Sequence, residues 1–121
     1  MLGIRFKMEV GLPIGNPHKV HSFDLASEDG KYVGETKACT WTESGNIPAA
    51  KITTMREAAQ YLQALPRSTK TLMVLLESRH RSRKETLGEY FVRLNNHLLA
   101  GIKVLELMGD ETLRTLRKGS W

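Results

Sequence analysis

The chain has 121 residues, 40% of them hydrophobic and 26% charged, and a net charge of +5. That is enough for one domain with a buried core, and the hydrophobic content separates it from disordered sequences. No apolar run nears the ~20 residues of a membrane span, and the single cysteine, Cys39, excludes an intramolecular disulfide and a cysteine-based zinc site.

The segment from Met1 to Lys7 has no secretory-type apolar core, so a reducing, cytoplasmic setting is the expectation. The positive balance makes a polyanion a candidate partner. From Ile4 to Val10 apolar and charged residues alternate, which predicts a half-buried strand. Gly11 to Pro17 reads as a turn, and His18 to Ala26 as a second strand. Asp29-Gly30 predicts a hairpin, because glycine accepts the positive φ of a tight turn. Lys31 to Thr42 reads as a third strand.

Pro48 opens a helix whose apolar positions Ile52, Met55, Ala58, Ala59, Leu62 and Leu65 follow at helical spacing. Pro66 ends it. The unbroken run Leu72-Met73-Val74-Leu75-Leu76 predicts a strand buried on both faces, within Lys70 to Glu77. Ser82 to Glu85 has the form of a capping box, and Leu87, Tyr90, Phe91, Leu94, Leu98 and Leu99 make a second helical stripe, closed by Gly101. Ile102 to Leu107 is a last strand, and Asp110 to Lys118 a short helix or tail, the tail starting at about 109. The expected fold class is therefore α/β: a single domain over 1–121, with a mixed central sheet flanked by helices in the order β-β-β-α-β-α-β.

The residues that carry chemistry lie on the second and third strands. Residues two apart on a strand share a face, so Glu35 and Lys37 point the same way. The hairpin can bring Asp24 beside Glu35. Two carboxylates suit a hard cation such as Mg2+ or Mn2+, which lowers the pKa of bound water and polarises a phosphate. Lys37 can orient that water or steady developing negative charge. Glu and Lys two apart on a strand are equally the pattern of a solvated polar face.

The stretch from His18 to Tyr61, with Phe23-Asp24, Glu35-Thr36-Lys37 and the helix from Pro48, resembles the core of the PD-(D/E)XK nuclease superfamily, the restriction-endonuclease-like fold. The resemblance implies a magnesium-dependent nuclease cleaving phosphodiester bonds, DNA ahead of RNA. Asp24 and Glu35 would be metal ligands and Lys37 the catalytic lysine. Phe23 stands at the place of the namesake proline. No counterpart is evident for the family's preceding core helix, which often adds an acid, and Glu9 lies on a predicted strand instead. A catalytically silent nucleic-acid-binding or assembly module on the same fold is the alternative.

Lys51, one turn into the first helix, is a candidate phosphate contact. The basic run Arg79-His80-Arg81-Ser82-Arg83-Lys84 offers Arg79, Arg81, Arg83 and Lys84 to a nucleic-acid backbone, or is a solvated loop. Glu9, Glu43 and Asn46 are accessory candidates. Trp41 either stacks on a base or packs inside, packing being favoured. The four histidines lack HExxH spacing, and no glycine-rich phosphate loop is present. One site per chain predicts a homodimer for cutting both strands of a duplex, and no membrane partner is expected.

Overall fold

The structure, a computed structural model, describes residues 5–15 and 17–121. Among these residues the elements run β1 (Phe6–Ile14), β2 (Lys19–Ser27), β3 (Tyr32–Lys37), α1 (Ala49–Gln63), β4 (Lys70–Leu76), α2 (Leu87–Asn95), β5 (Lys103–Leu107) and β6 (Leu113–Arg117), with a 3₁₀ turn at Asn96–Leu98. The strands form one mixed six-stranded sheet, ordered β1 to β6 as in the chain. β1–β2, β2–β3 and β5–β6 are antiparallel, while β3–β4 and β4–β5 are parallel. The α/β class and mixed sheet thus agree with the sequence reading.

Each parallel pair needs a helical crossover, and α1 and α2 supply them. Successive right-handed crossovers in one direction put both helices on the same side. Direct bonds show it: Arg56 Nε of α1 donates to Asn95 Oδ1 of α2 at 2.8 Å, and the Gln63 amide donates to the carbonyls of Leu98 and Ala100, just beyond α2, at 2.9 Å each. Ile52, Met55, Ala58, Ala59 and Leu62 of α1 share one core with Leu87, Phe91, Leu99, Met73, Leu75 and Val104. The opposite sheet face carries no helix among the described residues. There Trp121 donates from Nε1 to the Thr71 carbonyl and meets Tyr32 edge-on at 5.1 Å.

Ile4, where the first strand was predicted to open, lies outside the described residues. Several other features differ from expectation. β1 runs on to Ile14 through the predicted turn, because Leu12 and Ile14 continue the alternation and pair with His21 and Lys19. Pro13 is tolerated there since an edge strand leaves one row of N–H groups unused. β3 stops at Lys37, not Thr42.

The capping box falls at Thr86 and Glu89, next to the apolar stripe, and not at Ser82 and Glu85. The Thr86 hydroxyl accepts from the Glu89 N–H, and the Glu89 carboxylate accepts from the Thr86 N–H. The expected tail is strand β6. A tight turn with Glu111 at φ 68° folds it back onto β5, where the Met108 N–H donates to the Thr112 carbonyl. Pairing of Leu113–Arg117 with β5 thus replaces the short helix or tail expected over Asp110 to Lys118.

One irregularity shapes the rest. A regular strand sends residues three apart to opposite faces. Phe23 and Ala26 nevertheless both enter the core, 0% and 2% exposed. On β1 Val10 packs on the core while Met8 is 69% exposed. Both strands reverse their faces at one level. There Glu9 adopts φ 53°, and the pairs Met8–Leu25 and Val10–Phe23 set it across from Asp24.

Candidate functional site

The reversal lies where β2 and β3 part. Their ladder consists of Ala26–Val33 and Leu25–Gly34, and the next step along it is Asp24 and Glu35. Asp24 replaces backbone pairing there with its side chain. Its Oδ2 accepts from the Thr36 N–H at 2.8 Å and faces the Thr36 hydroxyl at 3.3 Å. Beyond this point β2 stays with β1, while β3 continues beside β4 through Glu35–Met73 and Lys37–Leu75. The sheet forks, and the two carboxylates sit at the crotch.

Glu35 is 5% exposed, an unusual position for a carboxylate. Burial, then the neighbouring charge of Asp24, pushes its pKa up to about 7, and Lys37 opposes the shift. Two acids this close resist ionising together. Oε1 of Glu35 lies 3.3 Å from Nε2 of His21. The His21 ring stacks on Tyr61 of α1 with centroids 3.6 Å apart and planes 10° apart, and it meets Phe23 edge-on at 4.6 Å. Burial holds the His21 pKa below its usual value. Sequence reasoning missed His21, since its link to Tyr61 and Glu35 spans three separate elements.

The structure thus brings Asp24 and Glu35 together, with Lys37 half-buried two residues on. Among the described residues no group of three or more His, Cys, Asp and Glu side chains is arranged to hold a metal ion. Glu9 is level with Asp24 but exposed, and Cys39 is buried and free. Lys51 is exposed in the first turn of α1.

The other candidates gather on two loops that grip each other. His80 accepts at Nδ1 from the Ser82 N–H, 3.1 Å, so its Nε2–H is the donor to the Glu43 carbonyl, 2.7 Å away. Arg83 donates to the Gly45 carbonyl at 2.7 Å and covers the Trp41 ring at 4.4 Å. Trp41 is 5% exposed and also packs against Tyr90, so its ring lies in the interior. Arg79 pairs with Glu77 at 2.7 Å. Arg81 and Lys84 remain exposed and make no side-chain bond or ion pair among the described residues. Glu43 and Asn46 are exposed on the facing loop.

Gly45 makes this grip possible. Its φ is 81°, and a β-carbon there would meet the Ser82 hydroxyl and the His80 ring. Gly30 has φ 71° with open space around it. Gly45→Ala is therefore expected to cost about 2–4 kcal/mol in urea unfolding, left-handed strain plus collision, and Gly30→Ala about 1–2 kcal/mol. Equal losses would show that the loops do not lock.

No family model, no curated protein and no solved structure matches the chain. Among the described residues no helix is long and apolar enough to cross a membrane.

Proposed function

We propose that the protein is a metal-dependent nuclease of the restriction-endonuclease-like class, hydrolysing phosphodiester bonds of nucleic acid, DNA ahead of RNA. The observation that carries this reading is the Asp24–Glu35 carboxylate pair at the fork, with Lys37 two residues further on the same strand. A buried carboxylate beside a second one is a poor arrangement for stability alone, and perturbed acids of this kind cluster at functional sites.

The donor set fits Mg2+ or Mn2+. These ions accept one or two protein carboxylates and complete their shell with water and phosphate oxygens, whereas an all-protein cage needs more ligands than the fork offers. Asp24 and Glu35 would hold the ion. Bound there, it would supply Lewis acidity toward the phosphate and a more acidic water. Asp24 is fixed in place by Thr36 through Oδ2. Lys37 carries a positive charge to the end of β3, where it can stabilise charge developing on the phosphate. Arg81, Lys84 and Lys51 are the exposed cations proposed to contact the nucleic-acid backbone, while Arg79 and Arg83 are engaged within the protein. Cutting both strands takes two sites, so a homodimer in the cytoplasm is the proposed working form.

The test is plasmid nicking with Mg2+ or Mn2+. Asp24→Ala and Lys37→Ala are expected to lose about 100- to 1000-fold in rate, the usual scale for removing a charge-stabilising group. Nicking that survives both substitutions overturns the mechanism. Salt-dependent DNA binding with no metal requirement and no cutting would instead favour the silent module.

A further inference from the structure

We propose that His21 is a positioning residue of this site, donating from Nε2 to Oε1 of Glu35 and leaving Oε2 for the fork. The assignment rests on the reading of Glu35 as a working carboxylate. Its basis is geometric. Nε2 is 3.3 Å from Oε1, and the ring is gripped on one side by Tyr61, stacked at 3.6 Å, and met at its edge by Phe23. Its side chain is 22% exposed, so the ring has little room to turn.

A glutamate has three side-chain torsions to freeze, an entropic cost when it must be ordered at the moment of use. A ring already immobilised by two aromatic neighbours can hold that carboxylate in advance. Around metal centres the general effect is known: outer-shell hydrogen bonds orient the ligands, and ligating carboxylates are themselves hydrogen-bonded. Tyr61 thereby connects α1 to the fork through His21, although it touches neither proposed ligand by any described hydrogen bond.

The first measurement needs no metal. Long-range 15N–1H spectra of the labelled protein at pH 8 are expected to show His21 as the Nε2–H tautomer, and Glu35→Ala to relax that preference. An Nδ1–H tautomer, or a tautomer unaffected by Glu35→Ala, overturns the assignment. The second is calorimetric titration with Mn2+. His21→Ala is expected to weaken binding about 10- to 100-fold, the usual effect of losing an outer-shell partner. His21→Gln, which keeps an N–H donor, should recover most of that loss, and it serves as the readable variant if His21→Ala does not fold. Wild-type affinity in His21→Ala would also overturn the role. If the wild-type protein binds no Mn2+, the nuclease reading falls, and the His21 assignment is still decided by the tautomer.

Discussion

Glu35→Gln is expected to stabilise the folded protein by about 3 kcal/mol above pH 8 and to leave its stability near pH 4 almost unchanged. The carboxyl has a pKa of about 7 when folded, against 4.5 for the free group. Between those values the folded chain keeps a proton that the unfolded chain releases. The neutral carboxyl's contribution is complete below pH 4.5 and is lost as pH rises through 7. At about 1.4 kcal/mol per unit, the difference amounts to about 3 kcal/mol. Glutamine carries no such slope. Urea titrations of both proteins from pH 4 to 9 give the comparison, and parallel curves would sink the prediction. On the nuclease reading the same variant should also lose metal-dependent cutting, a gain in stability at the expense of activity. Loss of cutting without the stability gain would mean that Glu35 acts in catalysis but is not strained by burial.

The second large effect lies on the other side of the core. Glu106 on β5 is 0% exposed. It accepts from the Thr86 hydroxyl at 2.7 Å and from the Arg114 guanidinium of β6. Thr86 is the N-cap of α2, so one carboxylate links a helix start to two strands. Gly88 belongs to this arrangement, because a β-carbon there would sit 2.7 Å from Glu106 Oε2. Glu106→Ala would take from Arg114 its nearer carboxylate, leaving Glu89 at 3.6 Å, deprive the cap hydroxyl of its acceptor and leave a void. The unsatisfied Thr86 hydroxyl and the void together cost about 2–4 kcal/mol. Chemical denaturation should show a loss of that size, with a smaller one for Glu106→Gln, which keeps an acceptor for Thr86. A loss under 1 kcal/mol in Glu106→Ala would mean that solvent reaches this site.

Local signals carried most of the element assignment. The stripe from Ile52 to Leu62 predicted α1 because one helical face must be apolar to be buried. Asp29-Gly30 predicted the hairpin, and Gly30 does take φ 71°. The Leu72–Leu76 run predicted a strand buried on both faces, and Leu72, Met73 and Leu75 are at most 2% exposed, while Leu76 at the strand end is 39% exposed. Asp24 and Glu35 could be paired on paper because the hairpin fixes antiparallel register. Where local pattern pointed elsewhere, long-range pairing decided. β6 formed where a short helix or tail was expected, and β1 ran through a proline.

The α/β class, the hairpin that sets two acids level on adjacent strands and the lysine two residues beyond are all legible in the residues alone. These follow from backbone periodicity and turn chemistry, which act over a few residues. The parting of β2 and β3 at Asp24, the reversal of faces along both strands of the β1–β2 pair and the burial of Glu35 against His21, itself stacked on Tyr61, emerge only once the chain is folded. Those features depend on which residues from distant segments fill the same space, and burial and neighbouring charge set how Glu35 ionises. The same physics separated the basic run, leaving Arg81 and Lys84 exposed while Arg83 turned inward onto Trp41.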